Sequence, residues 1–277
     1  MRLGVLLQFA GSVLVLLFGQ SSAQAFEIEG EAIQGGLMFG RCSPPCSATL
    51  DGNAVLVSPD GRFVIGFDRD ESGDRTLQVL EADGAQHART LTVAARDYQI
   101  ERVDGLPPQT VTPDPEALER IRLEAEMVAS ARARRDQRTD YADGFAWPAD
   151  GRISGVYGSQ RILNGEPRRP HYGLDIAAPT GTPVHAPADG IITLAYDDMY
   201  FSGGTIVLDH GQGLSSSFLH LSRVLVEAGS MVRQGDVIAE IGSTGRASGP
   251  HLDWRMNWLD RRVDPQLLVG ELPVGNP

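Results

Sequence analysis

The sequence predicts a mostly β protein in two parts: a small N-terminal β-sandwich-like domain and a larger C-terminal antiparallel β domain, joined by a connecting helix. Three observations predict it. Short, β-branched runs alternate with turn signals over residues 26–108 and again from 147 to the C-terminus. A single stretch carries apolar residues at helical spacing, and a Pro-rich break precedes it. The 277 residues, 42% hydrophobic and 22% charged, suffice for two globular domains.

Residues 1–25 stand apart. Arg2, the apolar run Leu3 to Phe18 and the small-residue site Ala23-Gln24-Ala25 predict a secretory signal peptide cleaved after Ala25. No Cys sits at the cleavage point, which argues against a lipid-modified terminus. The expected location is therefore periplasmic or cell-envelope, with the chain soluble after cleavage.

In residues 26–108, Asp51-Gly52-Asn53, Pro59-Asp60-Gly61 and Asp83-Gly84 punctuate strand-like runs at Ala54–Val57, Arg62–Phe67, Thr76–Leu80 and Thr90–Val93. Cys42 and Cys46 are expected to bridge in an oxidising compartment. Residues 109–146 read as linker and helix, the Pro-rich stretch running from Gly105 to Pro113. Asp114 suits the helix cap and Pro115 the first turn. Leu118, Ile121, Ala125 and Val128 form the expected inward stripe, with Glu early and Arg132, Arg134, Arg135 and Arg138 late, an order that complements the helix dipole. In residues 147–277, strands are expected at Pro183–Ala186, Gly190–Ala195, Gly204–Asp209, Ser215–Leu219, Val237–Ile241 and Leu252–Met256.

Charge excludes some functions. The net charge of −12 offers no basic stripe for phosphates, so no nucleic-acid partner is expected. All 24 basic residues are Arg. Without Lys there is no Schiff-base lysine, no P-loop lysine and no residue to carry biotin or lipoate.

Five of the six His fall in the last part, at 171, 185, 210, 220 and 251. In His171-Tyr-Gly-Leu-Asp175 both ends reach one metal only if the backbone bends, because a straight strand separates them by about 13 Å. Gly173 makes a bend cheap. His251 and Asp253 lie two apart, on the same face of a strand at roughly 6.6 Å. His220 stands in an apolar strand, where a lone imidazole is more often a satisfied core residue than a catalyst.

Read together, these segments resemble the lysostaphin/LytM-type zinc endopeptidases, which hydrolyse cell-wall peptides. The resemblance rests on His171-Tyr-Gly-Leu-Asp-Ile-Ala-Ala-Pro-Thr-Gly-Thr-Pro-Val184, Ala188-Asp-Gly190, Val207-Leu-Asp-His-Gly211, Phe218-Leu-His-Leu-Ser222, Val232-Arg-Gln-Gly-Asp-Val-Ile238 and Gly242 to Leu252. Trp147-Pro-Ala-Asp-Gly151 and Tyr157-Gly-Ser-Gln-Arg161 resemble the start of that domain. Residues 26–146 lie outside these motifs. The resemblance implies a peptidase domain over 147–277, one zinc ion per chain and peptidoglycan peptide stems as substrate. His171, Asp175 and position 253 would be metal ligands; His220 and His251 would be the catalytic pair, with Tyr172 or Tyr200 assisting the oxyanion.

The family normally has His at the third ligand position, and this chain has Asp253. Two carboxylates and one imidazole would cancel the charge of Zn²⁺ and suit a harder ion such as Mn²⁺. The alternative is therefore a catalytically inactive LytM-type scaffold that activates another wall hydrolase, with wall-division or wall-remodelling proteins as partners. Val232 to Gly242 also resembles the barrel-sandwich segment of biotinyl and lipoyl carriers. The missing lysine excludes that function but supports the related β architecture.

Overall fold

The structure, a computed structural model, describes residues 26–103, 115–163 and 165–270. The signal peptide read over 1–25, the linker read over 105–113 and the cap read at Asp114 lie outside the described residues.

The N-terminal strands are β1 (Phe26–Glu29), β2 (Leu37–Cys42), β3 (Cys46–Leu50), β4 (Asn53–Val55), β5 (Arg62–Gly66), β6 (Gly73–Glu81) and β7 (Gln86–Val93). They form two antiparallel sheets, in the orders β1-β2-β5 and β4-β3-β6-β7. Leu77 and Val79 alternate inward along β6, while Phe63, Val64 and Ile65 of β5 are all fully buried. Cys42 closes β2, Cys46 opens β3, and the two are disulfide-bonded with their Cα atoms 6.3 Å apart.

The chain continues through β8 (Ile100–Val103), α1 (Pro115–Ala131), β9 (Arg152–Gly155), β10 (Gln160–Leu163), β11 (Glu166–Pro167) and β12 (Leu174–Ala177). After these come β13 (Pro183–His185), β14 (Gly190–Met199), β15 (Gly203–Gly211), β16 (Leu214–Val224), β17 (Met231–Val232), β18 (Val237–Ile241), β19 (His251–Trp258), β20 (Arg261–Val263) and a single turn, α2 (Gln266–Val269). Ten of these strands build one sheet on the path β17-β14-β15-β16-β19-β12-β9, with β13, β18 and β20 attached. Among the described residues no helix is long and apolar enough to cross a membrane.

The period-2 geometry of this sheet sorts residues onto two faces. Where β16 meets β19, Leu214, Ser216 and Phe218 lie opposite Trp258, Met256 and Trp254, and all six are buried in the core. The alternate positions pair Ser215 with Asn257, Ser217 with Arg255, and Leu219 with Asp253 on the other face. The N-terminal strands cover the first face: Phe63, Phe67, Trp254 and Trp258 belong to one continuous apolar cluster. Polar links reinforce the contact, notably Arg96 to Asp264 at 2.8 Å and Arg261 to Glu71 at 3.0 Å. Parallel pairing of β8 with β10 adds a backbone seam.

Helix α1 differs from its expectation in two ways. It ends at Ala131, so the four arginines expected late in the helix lie beyond it, and no basic residue occupies its last turn. Its inward residues are Ile121, Glu124, Val128 and Ala131, while Leu118 and Ala125 are exposed. Glu124 turns inward because it has partners there: Arg120 at 2.7 Å and the backbone N–H of Tyr200 at 2.8 Å. The helix thereby grips the β14–β15 turn.

A candidate metal centre on the open face of the sheet

Three of the five residues singled out in the sequence converge at the β12–β19 ladder, where Asp175 lies opposite Asp253. One nitrogen or oxygen each of His171, Asp175 and Asp253 fall within 4.8 Å of one another. The bend that the His-x3-Asp spacing demands occurs just before β12. There the backbone of His171 exchanges hydrogen bonds with the turn before it, accepting from Gly158 N–H at 2.8 Å and donating to Ser159 at 2.8 Å. Gly155 and Gly173 leave the space that the carboxylates fill: a Cβ at either would collide with Asp175 or Asp253.

The donor atoms are prepared for a cation. His171 Nε2 stands 3.1 Å from Asp175 Oδ1, yet both atoms are buried without a hydrogen-bond partner of acceptable geometry. Buried polar atoms are rarely left so, and two that face each other point to a shared third partner. Burial alone would push the His171 imidazole down, but Asp175 and Asp253 outweigh it and hold the group above its ordinary value. A cation at this point would replace that proton.

His220 and His251 also meet here, with ring centroids 4.8 Å apart. Regular alternation along β16 would turn His220 to the core with Ser216 and Phe218. Instead the β15–β16 register slips between Gly204 and Ile206, and His220 adopts φ +65°. Such a bulge re-aims a side chain. A non-glycine residue at positive φ costs about 1 kcal/mol, so the surroundings must hold it. They do: His220 N–H donates to Ser202 O at 2.8 Å and its Nδ1 bonds Thr244 O at 2.8 Å. His251 Nδ1 bonds Gly249 O at 2.8 Å in the same manner. Bonding of Nδ1 to a carbonyl makes it a donor, so in both rings Nε2 is the nitrogen left free for other partners. Burial, foremost, keeps His220 below its ordinary imidazole value and therefore neutral at neutral pH.

The remaining histidines are separate from this site. His210 is fully buried on the core face, bonded at Nδ1 to Asp189 O and at Nε2 to Ser216 Oγ, both at 2.8 Å. Burial pushes it down to about 4. His185 sits on the β13–β18 pair, with Nδ1 bonded to Gly235 O at 2.9 Å.

One residue that the sequence reading passed over alters the electrostatics. Arg255 donates to both oxygens of Asp253, from Nε at 3.0 Å to each and from Nη2 at 2.5 Å to Oδ2. Burial would raise the Asp253 carboxyl, but Arg255 outweighs it and holds the group below its ordinary value. The signal was available, since residues two apart on a strand share a face and an acid and a base at that spacing are placed to pair.

The N-terminal strands reach this site indirectly. Arg69, 6% exposed, donates to Gly158 O from Nε and Nη2 at 2.9 and 2.7 Å. Gly158 is the residue whose N–H holds the His171 carbonyl. A solved structure from Pseudomonas aeruginosa, described as a peptidase M23, is similar to this chain over most of its length: it is 32% identical, superposes with a TM-score of 0.68, and the match covers 87% of this chain and 96% of that one.

The chain belongs to peptidase family M23. The family model matches residues 169–265, from just before His171 to just past the last strand. Curated relatives include a peptidoglycan DD-endopeptidase, ShyA, of Vibrio cholerae, 37% identical over 121 residues. Another is a DD-carboxypeptidase/endopeptidase, Mpg, of Neisseria meningitidis, 41% identical over 97 residues. These alignments cover 43% and 35% of this chain but only 28% and 22% of the relatives' own lengths. The P. aeruginosa structure, by contrast, extends the likeness well into residues 26–146, which the sequence motifs did not reach. The N-terminal strands thus belong to an architecture this chain shares with another M23 peptidase.

Proposed function

We propose that this M23 chain is a metal-dependent endopeptidase that hydrolyses peptide cross-links of bacterial peptidoglycan. In this reading His171, Asp175 and Asp253 hold one zinc ion, and His220 and His251 are the catalytic pair. The observation that carries it is the facing pair of orphaned donors, His171 Nε2 and Asp175 Oδ1, beside a third carboxylate. Imidazole nitrogen and carboxylate oxygen are ordinary zinc ligands. The names of the V. cholerae and N. meningitidis relatives support the peptide bonds of the cell wall as substrate. The Cys42–Cys46 disulfide supports an exported chain, because such bonds persist in oxidising compartments.

Bound zinc supplies a water of lowered pKa and a polarised scissile carbonyl. The protein's own residues do the rest. With Nδ1 committed to a backbone carbonyl, each catalytic imidazole works through Nε2: one accepts the proton of the attacking water, and the other donates to the developing oxyanion and then to the leaving amine. Arg255 supports zinc over a harder ion. Its positive charge offsets Asp253, so the donor set and its immediate partner carry a single net negative charge, as two imidazoles and one carboxylate would.

The same ion pair favours a second reading. Arg255 already bonds both oxygens of Asp253, and a carboxylate so engaged is a weaker ligand. That would make the chain a non-catalytic scaffold that activates another wall hydrolase.

Metal analysis and muropeptide digestion of the mature protein separate the two. The peptidase reading expects about one zinc per chain and release of cross-linked peptides, neither with His171→Ala, and zinc without turnover with His220→Ala. Normal rates in a zinc-loaded His220→Ala variant would refute the catalytic assignment. A wild-type protein that takes up neither zinc nor manganese, and stays inert when they are supplied, establishes the scaffold reading.

A further inference from the structure

The chain carries a net charge of −12, yet four guanidiniums gather beside the candidate metal ligands. Arg255 lies on the open face of β19, directly opposite Ser217 of β16. Onto that serine comes Arg132, from just beyond the end of α1, with Nη2 donating to Ser217 Oγ at 2.8 Å. Arg262 of β20 joins from the other side, its Nη1 donating to Asn257 Oδ1 at 3.1 Å. Asn257 is two residues along the same face from Arg255. Arg169 and Arg262 both lie over the ring of Tyr172, at 5.6 and 5.8 Å from its centroid, next to His171.

These charges are under-compensated. Among the described residues, no carboxylate forms an ion pair with Arg132, Arg169 or Arg262, and the single carboxylate on Arg255 is Asp253. Arg132 Nε and Ser215 Oγ, both against this face, are buried with no hydrogen-bond partner. Burial, and then the neighbouring Arg262 and Arg255, push the Arg132 guanidinium down to about 9. Arginine does not give up its proton in proteins at neutral pH, so that unfavourable energy is relieved by an anion instead. Guanidinium forks and hydroxyls suit a planar, two-oxygen group. A cation bound at the metal centre would add to the positive field and draw such a group toward the ligands.

We propose that Arg132, Arg255 and Arg262, with Arg169 at the rim, form an anion subsite beside the metal centre that takes a free carboxylate of the substrate peptide. This rests on the peptidase reading for the identity of the ligand but not for its detection, because binding is read without any bond being cut. The carboxylate is either the C-terminal one or that of a side chain near the scissile bond.

The test is calorimetric titration of the metal-free full-length mature protein. Three synthetic stem peptides serve as probes: one with all carboxylates free, one amidated at the C-terminus and one amidated at the side-chain carboxylate. We expect one amidation to weaken binding roughly tenfold or more, the usual worth of a charge-assisted hydrogen-bonded pair, and thereby to identify which carboxylate is taken. Arg132→Gln and Arg262→Gln should each erase most of that difference while leaving the affinity for the amidated peptide unchanged. Arg132→Lys, which keeps the charge, should preserve part of it. Equal binding of all three peptides by the wild type overturns the proposal, whatever the variants do. So does a preference that survives both Gln substitutions in protein whose unfolding midpoint is normal.

Discussion

The two faces of the β15–β16–β19 sheet are made by the same strands, yet they follow opposite rules. On the core face, Phe218, Trp254, Met256 and Trp258 are buried against the N-terminal strands, and the one imidazole there, His210, has both ring nitrogens bonded. On the other face, beside Asp253, Arg255, Ser217 and Asn257, the polar atoms His171 Nε2, Asp175 Oδ1, Ser215 Oγ and Arg132 Nε are buried without a hydrogen-bond partner. The core face meets its demands almost wholly by apolar packing, with the Trp254 indole N–H buried without a hydrogen-bond partner. The open face leaves demands unmet and so offers them to a ligand. His220 crosses between the two: the ladder assigns it to the core, and a bulge delivers it to the groove.

Substitutions on each face should therefore fail differently. The largest effect on stability is expected from Trp254→Ala, which empties a fully buried indole site and should cost about 4 kcal/mol in denaturant unfolding. The next is the pH response of His210. Its imidazole titrates near 6.5 when unfolded and at about 4 when folded, so between these values only the unfolded chain binds the proton. Stability is complete above pH 6.5 and is lost as the pH falls toward 4, by about 3 kcal/mol in all. In metal-free protein, which removes the competing effect of metal release, His210→Asn should flatten this slope; an unchanged slope would assign it to other groups.

On the open face, Arg255→Gln leaves the buried Asp253 carboxylate without its counter-charge. The metal-free protein should lose about 2 kcal/mol, a figure lowered because the guanidinium is partly exposed. Zinc should then restore more stability than it adds to the wild type, since the cation takes over the role of Arg255. Unfolding midpoints with and without zinc measure this directly. The smallest effect is at the crossing point. His220→Gly should be more stable than His220→Ala by about 1 kcal/mol, because φ +65° suits glycine and strains alanine. The reverse order would place the bulge elsewhere.

The open face also shows where reading the chain in order succeeds and where it stops. The strands at Arg62–Gly66 and Val237–Ile241 were anticipated nearly to the residue, because β-branched runs bounded by turns are local signals. Strands β1 and β12 escape a local reading because each alternates over only four residues, and β2 because it does not alternate. The helix was placed at Pro115 but given the wrong inward stripe, because Leu118 and Ala125 found no partner while Glu124 found Arg120 and the Tyr200 backbone.

What the sequence by itself determined is which residues are the candidates for the chemistry: His171, Asp175, His220, His251 and Asp253 are legible from spacing and from the order of their motifs. Tertiary structure alone decided how they are aimed and what surrounds them. The bulge that turns His220 outward depends on the Gly204–Leu221 pairing and on Ser202 and Thr244. Arg69 steadies the turn under His171 from 89 residues away, and Arg132 reaches Ser217 across 85. No periodicity encodes such contacts. They exist because burying the two apolar faces fixes the strands in register, and the polar side chains then meet whatever that register brings to them.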